Sequence, residues 1–186
     1  MVSIYLESAS FFDEDSVNVE RFLAGDQDAF TILYTKYYQR VFSIAKGILI
    51  LEDEALDVTQ EVFTLVYRNL GKFNRQSKFS TWLFRIAVNR SIQESRKRRF
   101  KHKQVELTEE IEHVQPAHED DVDPRVQACM EQLSPPDRAL LTLFYWQDQS
   151  LTEIAQSMDI NVNAAKTRLY RARERFRELY EKEPQP

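Results

Sequence analysis

Residues 150–176, SLTEIAQSMDINVNAAKTRLYRARERF, decide the fold class of this chain. Ser150, followed three positions later by Glu153, is a capping-box pair that opens a helix by satisfying backbone N–H groups left over at its start. Asp159-Ile160-Asn161 reads as a turn. A second helix, from about Asn163, resumes the helical spacing with Ala165, Leu169, Ala172, Phe176 and Leu179 facing inward. Ala164, Thr167, Arg168, Arg171 and Arg175 fall on the other side. A short capped helix, a tight turn and a second helix with a cationic outer face form a helix-turn-helix pattern. The second helix would enter a major groove, with Asn163, Ala164, Lys166 and Thr167 reaching bases and Arg168 and Arg171 reaching bases or phosphates. The bland alternative is a helical hairpin with a solvated basic face, but capping, turn and charge signals agree.

Composition points the same way. The chain has 186 residues, 42% of them hydrophobic and 30% charged, with only 3 Gly and 6 Pro. Such a chain lacks the turn-formers of an all-β protein and is rich in helix-favouring residues. One cysteine, Cys129, excludes an internal disulfide framework. No apolar run is long enough to span a bilayer, and the N-terminus lacks the basic start and apolar stretch of a secretory signal. The expectation is a cytoplasmic protein with no membrane insertion.

The formal net charge is -5, which alone argues against nucleic acid. Its distribution reverses that impression. Residues 1–30 carry a net of -6, residues 61–104 a net of +10, residues 105–128 a net of -7 and residues 160–186 a net of +3. Two basic blocks flanking an acidic one imply two nucleic-acid contacts joined by a connector that avoids DNA.

Upstream, Phe22, Leu23, Phe30, Leu33, Tyr34, Tyr37, Val41, Ile44, Ala45 and Ile48 recur at spacings of three and four, which predicts one or two amphipathic helices. From about Asp53 to Leu70 a further helix places Ala55, Val58, Val62, Leu65, Val66 and Leu70 on one face. Asp57, Gln60, Glu61, Thr64 and Arg68 lie opposite. Residues 71–78, GKFNRQSK, have the chemistry of a loop. Ser80 is the expected N-cap of the next helix, with Phe79 and Phe84 as a hydrophobic staple. That helix carries Arg85, Asn89, Gln93 and Arg96 on one stripe and ends in RKRRFKHK, residues 96–103. Residues 104–124 have a linker's composition. Ser134-Pro135 then reads as N-cap and first helical residue.

The basic block offers phosphate contacts through Arg96, Lys97, Arg98, Arg99, Lys101 and Lys103. Phe73, Phe79, Trp82 and Phe84 lie close by, and aromatic faces can stack unpaired bases, although the place of Trp82 on the apolar stripe favours a core role. The loop is the better candidate for holding an extruded base, because Asn74, Arg75, Gln76 and Ser77 supply donors and acceptors. The polar stripe Asp57, Gln60, Glu61, Thr64 is by itself either a solvated face or a partner surface.

The order of these pieces resembles the extracytoplasmic function (ECF) sigma factor family of the sigma-70 type. EDEALDVTQEVFTLVYRNL, residues 52–70, is similar to that family's region 2.2, with its Asp-x-x-Gln-Glu core at Asp57, Gln60 and Glu61. KFSTWLFRIAVNRSIQESRKRR, residues 78–99, resembles regions 2.3 and 2.4. Residues 150–176 resemble region 4.2, although Asn163-Ala164-Ala165-Lys166 stands where the family often has Gly-Thr-Val-Lys. The resemblance covers about residues 20–100 and 125–180. It implies an all-α protein of two small helical domains joined by a flexible acidic linker. Residues 1–19 would be an N-terminal extension, 20–103 region 2, 104–124 the linker and 125–182 region 4. It further implies that Asp57, Gln60, Glu61 and Thr64 bind core RNA polymerase. Asn74, Arg75, Gln76, Ser77, Lys78, Arg85, Asn89, Arg96 and Lys97 would bind the melted -10 element. Asn163, Ala164, Lys166, Thr167, Arg168 and Arg171 would bind the duplex -35 element. An anti-sigma factor is the implied regulator.

Other classes fit less well. An ordinary helix-turn-helix regulator explains residues 125–180 but not the basic block before them. His102, His113, His118 and Cys129 match no zinc spacing. No phosphate-cradling glycine loop and no nucleophile–base motif is present, so neither a cofactor nor a catalytic role is expected.

Overall fold

The computed structural model describes residues 13–105 and 123–182, with side chains of residues 99–105 excepted. Among the described residues the secondary structure is helical throughout, in two lobes. The first lobe holds α1 (Glu14–Leu23), α2 (Gln27–Leu49), α3 (Glu52–Asn69) and α4 (Phe79–Val105). The second holds α5 (Pro124–Gln132), α6 (Pro135–Leu141), α7 (Leu151–Ser157) and α8 (Val162–Lys182), with a π-helical turn over Thr142–Trp146. Residues 106–122, most of the expected linker, lie outside the described residues, as do residues 1–12.

The expected run of one or two helices before residue 50 is two. Asp13 caps α1 by accepting from the Ser16 N–H, and Asp26 caps α2 by accepting from the Asp28 N–H. Between them Gly25 takes φ 105, a conformation that side-chain-bearing residues avoid. Helix α1 packs on α2. It therefore straddles the boundary at residue 19 expected for an N-terminal extension.

Helix α2 is the spine of the first lobe, packed against α1, α3 and α4. Its Leu33, Tyr37, Val41, Ile44 and Ile48 are buried at the helical spacing, as are Ala55, Val58, Val62 and Val66 of α3. Tyr37 sits under both Phe79 and Phe84, at 5.5 and 6.2 Å between ring centroids. This layer moves the start of α4. Phe79 must be buried as the chain enters the helix, and the Lys78 carbonyl already accepts from the Trp82 N–H. Ser80 therefore lies inside the first turn instead of capping it.

In the second lobe the caps follow the sequence. Ser134 accepts from the Asp137 N–H with Pro135 at the first helical position, and Ser150 with Glu153 forms the full capping box. Asp123 caps α5 by accepting from the Arg125 N–H at 2.9 Å, and it also accepts from the Tyr180 hydroxyl near the end of α8 at 2.9 Å. The Arg125 side chain beside it, together with these bonds, holds the Asp123 carboxyl well below the usual carboxylate range.

The lobes are packed together. Helix α7 lies on α4, and α6 with the following π turn lies on α2, so that one hydrophobic core runs through both. The seam centres on Arg138, which is 7% exposed. Its Nε donates to the Ile48 carbonyl at 2.7 Å, at the C-terminal end of α2. Its Nη1 faces the carbonyls of Leu133, Glu131 and Met130 at 3.1, 3.3 and 3.4 Å, at the end of α5. Burial and the nearby Arg98 lower its pKa, but a guanidinium remains charged in proteins. Nearby, a Cβ on Gly47 would fall 2.4 Å from Thr142 Oγ1, so α2 approaches the π turn more closely than any side chain permits.

Two outcomes follow for stability. Arg138→Met strands the Ile48 and Leu133 carbonyls in the seam and should cost about 2–4 kcal/mol in denaturant unfolding. Arg138→Lys, a point donor without the planar fork, should recover only part of that. Recovery in full by lysine would mean that charge alone suffices. For Asp123, a depressed folded pKa means a stabilisation complete above the ordinary carboxylate range and lost as the pH falls from there toward its own value. The stability gap between the native chain and Asp123→Asn should therefore be open at neutral pH and closed in strong acid. A gap independent of pH would remove the carboxylate from that role.

Candidate nucleic-acid interface

Three exposed faces carry the residues singled out from the sequence. The first is on α3. Asp57, Gln60, Glu61 and Thr64 all reach solvent, opposite the buried Val58, Val62 and Val66. Glu61 pairs with Arg90 of α4, and the Thr64 hydroxyl donates to the Gln60 carbonyl at 2.9 Å. The side chains of Asp57 and Gln60 bond to nothing else among the described residues. Their polarity serves no internal contact, unlike that of Glu54, which ties the start of α3 to Arg98 of α4 at 3.3 Å.

The second face runs from the loop after α3 along α4. A single 3-10 turn, Leu70–Lys72, leads into the loop. There Asn74 Oδ1 accepts from the Gln76 N–H at 3.3 Å, and Arg75 adopts φ 59. That left-handed residue reverses the chain and brings Arg75 to Glu20 of α1 at 2.7 Å. Asn74 and Gln76 point outward, with Ser77 half-buried. Along α4, Asn89, Arg96 and Lys97 are exposed, Lys97 beside Glu94 at 2.9 Å. Phe73, Phe79 and Phe84 are core residues and offer no face to a base. Trp82 is half-buried against Phe73 and Phe79, 5.5 and 6.0 Å between centroids, so its packing role is real although its outer edge stays accessible.

Two cations of this face are already engaged, and by the other lobe. Lys78 Nζ meets Glu153 of α7 at 2.8 Å. Arg85 meets Asp159, in the turn after α7, at 2.9 Å. Burial pushes the Glu153 carboxyl up, but the Lys78 ammonium and the Ser150 hydroxyl and N–H outweigh it and hold it below its usual value. Arg40 of α2 adds two bonds to Gln147, one to the side chain and one to the carbonyl, both at 3.0 Å. Nothing in the sequence marks these pairs, because their members stand dozens of positions apart.

The third face is the outer side of α8. Its N-cap is Asn161, whose Oδ1 accepts from the Ala164 N–H at 2.7 Å. The left-handed residue of the turn is Asp159, at φ 56. Asn163 is helical, one residue inside a helix that begins at Val162. The expected start near Asn163 is thus off by one, because the capping amide lies at 161. Asn163, Lys166, Thr167, Arg168 and Arg171 are exposed and Ala164 is half-buried, while Ala165, Leu169 and Ala172 hold the helix to its lobe. Arg175 is exposed on the expected side too, but its guanidinium is already paired, with Asp137 of α6 at 2.6 Å.

Among the described residues no group of His, Cys, Asp and Glu could hold a metal ion, and no helix is long and apolar enough to cross a membrane.

Comparison with known proteins gives this arrangement its context. Residues 33–101 match the family model for sigma-70 region 2, and residues 124–176 match that for sigma-70 region 4. The chain is 34% identical over 167 residues to the ECF RNA polymerase sigma factor SigW of Bacillus subtilis, covering 82% of this chain and 89% of that one. It is 33% identical over 174 residues to the ECF RNA polymerase sigma-E factor of Escherichia coli K12, covering 86% and 91%. It is 31% identical over 176 residues to the RNA polymerase sigma-H factor of Pseudomonas aeruginosa, covering 87% and 91%. In fold it is similar to CnrH in its complex with the cytosolic domain of CnrY, with a TM-score of 0.72 at 24% identity over 92% of this chain and all of that one. It is also similar to the sigma factor RpoE of Bartonella quintana in complex with the anti-sigma factor NepR, with a TM-score of 0.68 at 21% identity over 83% of this chain and 98% of that one. The two family matches, in this order and on these two lobes, together with the curated relatives, show that the chain belongs to the ECF group of the sigma-70 family.

Proposed function

We propose that this protein is an RNA polymerase specificity subunit that binds core polymerase through α3, captures a melted -10 element on the loop after α3 and on α4, and reads a duplex -35 element with α8. The observation that carries the reading is the outer face of α3. Asp57 and Gln60 are exposed, lie on one stripe with Glu61 and Thr64, and do no internal work. Two polar side chains that the fold does not use are free for a partner, and they lie beside the basic α4 that would receive DNA.

The residues divide by chemistry. Arg96 and Lys97 are phosphate contacts, contributing affinity that weakens with salt and little sequence discrimination. Asn74, Gln76 and Ser77 present mixed donors and acceptors at the rim of the loop, suited to the edge of an extruded base. On α8, Asn163, Lys166 and Thr167 occupy the first turns, the part of a recognition helix that reaches base edges, with Arg168 and Arg171 behind them. Unstacking the promoter costs a few kcal/mol per step, which capture of flipped bases and phosphate contacts offset. The protein supplies binding and no bond chemistry, and it works in the cytoplasm, where polymerase is. An anti-sigma partner is part of this reading, supported by the fold shared with the sigma factor RpoE solved in complex with the anti-sigma factor NepR.

The test is reconstitution with sigma-free core polymerase on a pool of genomic fragments. Specific starts should depend on the protein. Gln60→Ala should reduce them at least several-fold while leaving the thermal unfolding of the free chain unchanged, because the side chain is exposed and unpartnered. Arg168→Ala should lower initiation most at the promoters whose -35 sequence it reads, by an amount corresponding to about 1–3 kcal/mol. Folded protein that gives no starts and does not bind core would leave an ordinary helix-turn-helix regulator as the better account.

A further inference from the structure

The loop after α3 is fastened at both ends by buried rings. Phe73 packs edge-on against Phe79 at 5.7 Å between centroids, and both are core residues. Between them, Asn74, Gln76 and Ser77 carry the donors and acceptors suited to a base, with the Gln76 N–H tied to Asn74 Oδ1. Arg75 behaves differently. It holds the left-handed φ of 59, which is costly for a residue with a Cβ. Its guanidinium lies 2.7 Å from the Glu20 carboxylate of α1.

Helix α1 is a firm support for that contact. Asp15, 5% exposed, accepts from the Tyr37 hydroxyl and, at 2.6 Å, from the Lys36 ammonium, both on α2. Phe22 meets Phe30 of α2 and Tyr67 of α3 at 5.4 and 5.1 Å between centroids. Leu23, one turn after Glu20, reaches the 3-10 turn that leads into the loop, since a Cβ on Gly71 would lie 3.7 Å from Leu23 Cδ2. Helix α1 therefore touches both the turn and the loop, although it lies outside residues 33–101, which match sigma-70 region 2.

We propose that Glu20 is a positioning residue for base recognition. Its carboxylate holds Arg75 in the left-handed turn, so that Asn74 and Gln76 on either side are presented outward in one arrangement. Arg75 then serves as an internal strut and not as a DNA contact. The proposal rests on the reading of this loop as the element that captures an extruded base. The pair is partly exposed, with side-chain accessibilities of 30% for Arg75 and 44% for Glu20, and such pairs add little to global stability. Their effect here is on a local choice. Released from Glu20, Arg75 can relax to negative φ, the ordinary state of a residue with a Cβ. That change re-aims the side chains before and after it. A loop that must be ordered as the base arrives loses affinity to the entropy of ordering, whereas a loop already held does not. The loss falls on the contact that discriminates between bases, and phosphate contacts elsewhere on α4 are untouched.

The test uses holoenzyme reconstituted from the full chain and core polymerase, on a promoter that this chain initiates and on a panel with each -10 base replaced in turn. Base preference is the ratio of initiation on the native promoter to that on its substituted forms. Glu20→Gln and Arg75→Gln should each lower this ratio about two- to fivefold at the captured base, the size set by a partly exposed ion pair. The two together should lower it no further. Exchange of the pair, Glu20→Arg with Arg75→Glu, should restore the preference, which no loss of a DNA-contacting cation would allow. The dependence of promoter binding on salt should be the same in both single variants as in the native chain. An unchanged preference in Glu20→Gln, or an exchanged pair no better than the single variants, overturns the proposal. So does a salt slope lowered by about one in Arg75→Gln, which would make Arg75 a phosphate contact. In each of these cases the reading of the loop stands. Asn74→Ala with Gln76→Ala tests that reading separately. Base preference unchanged in that double variant would mean that the loop reads no base, and the role of Glu20 would fall with it.

Discussion

The closed structure depends on one buried guanidinium. Among the described residues Arg138 has no carboxylate partner; its donors go to backbone carbonyls at the ends of α2 and α5. The last carbonyls of a helix have no partner within it and carry the negative end of its dipole, so a cation there is favoured twice, by hydrogen bonding and by charge. Two helices in different lobes thereby end on the same side chain. This permits the abrupt reversal from α2 to α3, where Ile50 holds φ 75, an uncommon and costly conformation for a β-branched residue. A residue that meets the chain at two helix termini positions α6 on α2, and with α6 the whole second lobe.

Once α6 is placed, the rest of the seam is constrained. The π turn must pass over α2 where Gly47 leaves room, and α7 then falls along α4. Arg40, which lies 4.8 Å from the Phe84 ring centroid, reaches Gln147 from the same helix. The interface that results is mixed, with the buried Arg138 guanidinium set among apolar residues and with ion pairs at the edge. Interfaces of that kind between lobes of one chain resemble transient protein–protein contacts more than a domain interior. This suits a protein whose two halves must act on DNA elements that lie apart along a promoter.

What the sequence made legible was local. The Ser134 and Ser150 caps, the apolar stripes of α2 and α3 and the exposed face of α8 follow from spacings of three and four, and the structure reproduces them. The failures were local choices decided by distant contacts. Ser80 is a good N-cap residue, but burial of Phe79 beneath Tyr37 starts the helix earlier. Arg175 stands in the cationic row as its spacing implies, but Asp137, thirty-eight positions earlier, already holds its guanidinium. The packing of the lobes had no sequence signal at all, since Gly47 and Arg138 carry no motif and their partners lie some ninety residues away.

The same distinction explains which candidate residues are ready and which are engaged. A motif names side chains by type and spacing, and type and spacing are identical whether a cation is free or paired. Lys166, Arg168 and Arg171 on α8 are exposed, whereas Lys78 and Arg85 on α4 each hold a carboxylate of the other lobe. The acids responsible belong to the helix-turn-helix itself, and one of them, Glu153, also caps α7. One carboxylate therefore serves local helix formation with one oxygen and a contact between lobes with the other. Because the cap survives with glutamine and the ion pair does not, the two duties are chemically separable, and the charge at position 153 is not needed to form the helix that carries it.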